Sequence, residues 1–257
     1  MLALEFLGEK AAAIIKHNNP CGVAVRKSNL EAYSAALSAG PVSAFGGVVC
    51  FNTPVEKEEA KRLNEMFLEI VIAPGFSSEA LETLKQKKNL RVIEEPMLLE
   101  NSKPGTDFRS IVGGMLAQER NSILFAKELR TATKRAPAKE EMDDLVFAWK
   151  VCKHVKSNAI VYAKQKRTVG IGAGQMSRVD SARFAALKAK DAGLETDGCA
   201  MASDAFFPFR DSVDEAAKAG ITSIIQPGGS IRDEEVVKAA DEHVMAMVLT
   251  GTRMSWH

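Results

Sequence analysis

The feature that most constrains this chain is an alternation of short apolar runs with amphipathic stretches. Ala11 to Ile15, Val48 to Phe51, Ile70 to Ala73 and Leu90 to Ile93 are apolar runs bounded by turn residues. Between them Asn29 to Ser38, Lys57 to Phe67 and Ser78 to Lys87 carry helical spacing, with Leu30, Tyr33, Ala36 and Leu37 on one face of the first. Buried strands alternating with helices of about ten residues predict an α/β fold with much parallel pairing.

Residues 95 to 110 read as polar and irregular, and Ile111 to Gln118 as one more strand broken by Gly113-Gly114. Lys127 to Lys139 is basic, contains Pro137, and reads as a boundary. The alternation then restarts. Lys139 to Val155 predicts a long helix with Met142, Leu145, Val146, Trp149 and Val155 inward. Ala159 to Ala163 and Thr168 to Ile171 predict a hairpin. Asp180 to Ala192, Val213 to Ala219 and Asp233 to Glu242 predict helices. Ala200 to Ala202, Ile221 to Gln226 and Val244 to Thr250 predict strands. Residues 1–134 and 135–257 thus form two units of similar architecture without repeated sequence. Each is expected to hold its own sheet.

Charge and cysteine content narrow the function classes. Lys plus Arg total 34 against 33 Asp plus Glu. That balance argues against a nucleic-acid binder or a ligand of anionic membranes. No apolar run approaches 18 residues, so no membrane span is predicted. The N-terminal stretch carries acids and no basic region, unlike a secretory signal. Cysteines at 21, 50, 152 and 199 have no CxxC spacing. They read as reduced thiols of a cytoplasmic protein. The four histidines are scattered, with no HExxH and no HxE plus PCxxC pattern, so no metal site is expected.

Four segments look chemical. Lys16-His17-Asn18 follows the first strand and enters a polar turn through Pro20-Cys21-Gly22. A lysine beside a histidine suits proton transfer, and a solvated turn is the plain alternative. Gly170-Ile171-Gly172-Ala173-Gly174 leaves a strand ahead of Arg178. Glycine at every second position fits either a backbone passing close to a ligand or a tight turn. It is neither a dinucleotide fingerprint nor a Walker loop. Ser203 to Asp211 places Phe206, Phe207 and Phe209 beside two aspartates and an arginine, either as core plugs or as a platform for a flat ring. Gln226-Pro227-Gly228-Gly229-Ser230 ends a strand, and Ser230 to Asp233 fits a capping box whose N–H groups are placed to hold an anion.

In order along nearly the whole chain, these segments resemble AICAR transformylase. The resemblance is carried by Ile15 to Ala24, Pro41 to Gly47, Val71 to Pro74, Lys156 to Ile160, Gly170 to Arg178, Ser203 to Asp211 and Ile225 to Asp233. It implies two cytidine-deaminase-like α/β/α subdomains without zinc, and a homodimer with active sites at the interface. It also implies transfer of a formyl group from 10-formyltetrahydrofolate, the co-substrate, to the 5-amino group of 5-aminoimidazole-4-carboxamide ribonucleotide (AICAR).

By that resemblance Lys16 and His17 are the catalytic pair. His17 takes the proton of the attacking amine, and Lys16 stabilises charge on the formyl oxygen. Asn158 orients the reacting groups, and Asp211 matches an acid near the histidine. Ser43 and Gly47 lie in a loop linked to substrate and folate. Glu69, Arg178, Phe206 and Arg253 match substrate-contacting positions. An Arg-Tyr-Gly segment that opens the family's module is not found here, nor is a cyclohydrolase domain. Ser255-Trp256 also departs from the family pattern. A truncated or paralogous member that dimerises and binds nucleotide without turnover is therefore the competing expectation.

Overall fold

The computed structural model describes residues 2–96, 105–125 and 128–254. The expectations for residues 97–104, Lys127 and Ser255-Trp256 lie outside the described residues. The first half opens with a 3-10 helix, Leu2–Phe6, and a hairpin of β1 (Lys10–Lys16) and β2 (Asn19–Arg26). Then follow α1 (Asn29–Ser38), α2 (Pro41–Ala44), β3 (Gly47–Phe51), α3 (Lys57–Asn64), β4 (Leu68–Ala73), α4 (Ser78–Leu84) and β5 (Arg91–Glu94). A separate hairpin, β6 (Thr106–Ile111) with β7 (Gly114–Glu119), precedes the short β8 (Arg130–Thr131). The second half runs α5 (Lys139–Cys152), β9 (Ile160–Lys164), β10 (Arg167–Gly172), α6 (Arg178–Asp191), β11 (Ala200–Ser203), α7 (Asp211–Lys218), β12 (Ser223–Gln226), α8 (Asp233–Glu242) and β13 (Ala246–Leu249).

The α/β class is as the alternation predicts, but the expectation of two separate sheets is corrected. Among the described residues one sheet runs β5-β4-β3-β1-β2-β10-β9-β11-β12-β13-β8 through both halves. The joint is the antiparallel pair β2–β10, registered at Arg167 and Ala24. Thr168 Oγ1, fully buried, accepts from Val23 N at 2.9 Å, and Val25 N donates to Lys166 O at 3.0 Å. The cause is open edges. Each hairpin leaves one strand with unpaired backbone groups, and pairing them satisfies both. The strand order reads 5-4-3-1-2 on one side and 10-9-11-12-13 on the other. The halves thus share a topology, with like strands meeting at the joint.

Three apolar clusters cover this sheet. Helices α1, α3 and α4 pack on one face of the first half around Tyr33, Phe51 and Leu63. Helices α6, α7 and α8 pack on the second around Tyr162, Met201 and Phe207. On the opposite face Leu145, Phe147, Trp149 and Val151 of α5 contact a cluster that includes Ala13 and Val23 as well as Val161 and Ala202. This one cluster thus draws on strands of both halves, and Phe147 of α5 meets Phe6 of the 3-10 helix with ring centres 5.2 Å apart. Phe147 and Ala148 are buried where Val146, expected inward, is half-buried.

Three local expectations are also corrected. The turn placed at residues 16–22 is only His17-Asn18, both at positive φ (50° and 62°), and Pro20-Cys21-Gly22 belongs to β2. Register Lys16–Asn19 makes this a two-residue hairpin loop of the kind that needs positive φ at both positions. The expected strand over 111–118 is instead the β6–β7 hairpin, because Gly113, at φ +80°, turns the chain back. The boundary stretch contains β8, which pairs with β13 at the sheet's edge.

Candidate functional site

Most of the expected residues gather along one edge of the sheet. Lys16 ends β1, Gly47 begins β3 and Leu68, beside Glu69, begins β4. Gly172 ends β10, Ser203 ends β11 and Ile160 begins β9, all at that same edge. A network of hydrogen bonds ties several of these ends together. Lys16 Nζ donates to Phe45 O at 3.0 Å and to Gly46 O at 2.8 Å. Two of its three protons are thus held, and His17 beside it is exposed.

The hairpin tip meets the second half directly. Lys156 N donates to Asn19 Oδ1 at 2.9 Å. Gly174 N donates to Lys156 O at 2.8 Å, and Asn158 Nδ2 donates to Gln175 O at 2.8 Å and Met176 O at 3.1 Å. Asp204, fully buried, accepts from Ser157 Oγ, from Ala159 N at 3.1 Å and from Arg178 Nη2 at 2.9 Å. Met254 N donates to Asp204 O at 2.9 Å, which brings the exposed Arg253 to the same edge.

Other expected residues stand apart from this network. Ser43 is exposed on α2. Glu69 is ion-paired to Arg91 at 2.9 Å on an exposed part of β4 and β5. Asp211 is exposed and accepts from Ser212 N at 2.7 Å. Among the described residues no hydrogen bond joins these three to the Asn158–Asp204 group. The phenylalanines divide: Phe207 is core, Phe206 is half-buried, and Phe209 is exposed with the Arg232 guanidinium 4.8 Å from its ring centre.

Two motifs change meaning. A Cβ on Gly170 would lie 2.0 Å from Ala185 O, and one on Gly172 1.9 Å from Ser181 O. These glycines let α6 lie close on β10; they are not a ligand-approach loop. Only Gly174, at φ +68° with nothing within 4 Å of an added Cβ, serves a turn. The loop after β12 is likewise no open anion cradle. Asp233 accepts from Gly229 N at 2.7 Å and Ser230 N at 3.1 Å, and Ser230 does not cap α8.

The residues missed by sequence reasoning are Asn19, Ser157, Ser203 and Asp204. Asp204 lies in the chemical-looking Ser203 to Asp211 segment, but nothing local tells its burial from the exposure of Asp211. Nor does a local signal mark the other three. Among the described residues no three His, Cys, Asp or Glu side chains converge as a metal site would need. No described helix is long and apolar enough to cross a membrane. All four cysteines are free, and burial pushes Cys21, in β2, up to about 11.

The loop carrying Asn158 is anchored at its start by an ionic clamp. Glu5 accepts from Lys153 Nζ at 2.8 Å and bonds His154 Nε2 at 2.9 Å. Burial alone would raise the Glu5 pKa. The bonds from His154 and Lys153 outweigh it and hold the carboxyl at about 2 against 4.5. The folded state therefore gains stability above pH 4.5 and loses it as pH falls toward 2. We expect Glu5→Gln to cost about 2 to 3 kcal/mol at pH 7. The difference from wild type should shrink to near zero by pH 2, as read by urea unfolding. A pH-independent difference would show that the clamp is not ionic.

A family model described as the AICARFT/IMPCHase bienzyme matches residues 1–188. The chain belongs to that family. Among its relatives, the "Bifunctional purine biosynthesis protein PurH" of Persephonella marina is 54% identical over 250 residues, covering 97% of this chain and 48% of the relative. Its namesake in Aquifex aeolicus is 54% identical over 256 residues, covering 100% and 50%. That of Rhodospirillum rubrum is 53% identical over 264 residues, again 100% and 50%. The chain spans about half the length of these relatives.

Proposed function

We propose that this chain transfers a formyl group from 10-formyltetrahydrofolate to the 5-amino group of AICAR, as one step of purine biosynthesis. Family membership supports this reading. The observation that carries it is the docking of the Lys16-His17 turn on the loop of Asn158 through Asn19 and Lys156 N. The AICAR amine is a weak nucleophile, because its lone pair is delocalised into the imidazole. As its nitrogen bonds to the formyl carbon, His17 accepts the amine proton. The third N–H of Lys16, whose other two are held by Phe45 and Gly46, stabilises the developing oxyanion. The carbon–nitrogen bond to the donor then breaks, and a proton returns to the donor nitrogen. Asn158 and Phe206 orient the ring, while Arg178, Arg253 and Glu69 grip the nucleotide. Asp211 supplies an acid near His17, and Ser43 and Gly47 serve the loop that holds substrate and folate.

The active form is a homodimer on this reading. Every residue of β6 and β7 is exposed, including Phe108, Ile111, Met115 and Leu116. A two-stranded hairpin alone is barely stable in water. Beyond the reach of α5, Val48, Cys50, Ile70 and Ile72 of β3 and β4 are only half-buried, and Ile93 is exposed. A second copy covers these surfaces. Steady-state kinetics with AICAR and 10-formyltetrahydrofolate test the reaction, and sedimentation equilibrium tests assembly. We expect turnover by a dimer, and a monomer without turnover for Phe108→Ser with Leu116→Ser. AICAR binding without turnover would favour the non-catalytic reading instead.

A further inference from the structure

Asp204 has no exposed surface, yet its carboxylate serves three segments of the chain. Oδ1 accepts from Arg178 Nη2 and from Ala159 N, and Oδ2 accepts from Ser157 Oγ. Its backbone adds two more ties. Asp204 N donates to Ala159 O at 3.3 Å, and Asp204 O accepts from Met254 N. Arg178 itself is only 10% exposed, and its Nε donates to Ser203 Oγ at 2.9 Å. Ser203 Oγ in turn donates to Ala205 O at 2.8 Å.

This arrangement spends a buried charge on orientation. A guanidinium carries its donors in a rigid planar fork, so fixing Nε and Nη2 also fixes where Nη1 points. Ser203 and Asp204 hold one edge of the guanidinium, and no hydrogen bond to a described residue occupies Nη1. The same carboxylate holds the residues on both sides of Asn158. We propose that Asp204 is a positioning residue, which sets Arg178 and the Ser157–Ala159 loop for the substrate nucleotide. This rests on the AICAR reading for the ligand, though not for the orientation of Arg178.

The test uses Asp204→Asn, which keeps the shape and removes the charge. We expect KM for AICAR to rise about 10- to 100-fold, the scale of hydrogen bonds to a charged group. We expect kcat to fall less. In an Arg178→Met background, Asp204→Asn should add little to KM, because the group it positions is gone. The Arg178 Nε–Hε NMR signal, assigned by its loss in Arg178→Lys, should be sharp and slow to exchange in wild type and averaged in Asp204→Asn. An unchanged KM, multiplying KM effects in the double variant, or an undisturbed Arg178 signal would overturn the proposal, even where Asp204→Asn lowers the melting temperature. If the wild-type chain binds no AICAR, the functional reading fails, and the NMR arm still decides the role of Asp204.

Discussion

On the proposed reading, His17→Asn is expected to slow formyl transfer to AICAR by about 10²- to 10⁴-fold, the usual loss when a general base is removed, while AICAR binding persists. Asparagine is the better probe because His17 sits at φ 50°, a conformation asparagine tolerates and alanine does not favour. The turn with Asn18 is then kept, and with it the bond from Lys156 N to Asn19. The exposed imidazole contributes little to packing, so the variant should unfold with wild-type stability. Single-turnover kinetics beside calorimetric AICAR titration separate the two effects. An undiminished rate would remove His17 from the proton transfer. A Lys16→Met variant should lose rate comparably, and its loss of the Phe45 and Gly46 bonds is a separate, structural effect.

Gly172→Ala destabilises the fold by about 3 kcal/mol, at the upper end of what overpacking costs. The added methyl would stand 1.9 Å from Ser181 O and 2.6 Å from its carbon, both backbone atoms of α6. Neither yields like a flexible side chain, so the helix has to lift from β10. That also disturbs the Ser181 Oγ bond to Asn158 O, at 2.8 Å. Urea denaturation measures the effect, and Gly174→Ala is the control. Gly174 has open space around it, so its cost comes only from φ +68°, about 1 kcal/mol. Equal costs at the two positions would mean that close approach of the helix does not govern the glycine pattern.

Much of the fold was legible because periodicity records burial. The first-half helix over Asn29 to Ser38 has the observed ends, set by Ser28, whose oxygen accepts from Glu31 N. Helix α3 stops at Asn64 instead of continuing to Phe67, because β4 already begins at Leu68. β2 was illegible because Asn-Asn-Pro-Cys-Gly carries turn residues. Its glycine answers to Ala36 O, 1.9 Å from where a Cβ would be. The same cause hid the meaning of Gly170 and Gly172. A glycine demanded by a neighbouring helix looks, in one dimension, like a glycine demanded by a ligand.

The α/β class, the alternation of elements and the segments that carry the family resemblance are all written in the sequence, and the resemblance alone proposes the Lys16-His17 pair as the chemical centre. Local patterns report local energies, and strand and helix propensity, caps and turns are of that kind. That β2 meets β10 in one sheet, that one apolar cluster joins both halves, and that Asp204 joins Ser157, Ala159, Arg178 and Met254 emerges only in the folded molecule. These are pairings between residues far apart in the chain. They are set by which open edge and which buried charge find a partner, and no single segment encodes its partner's position.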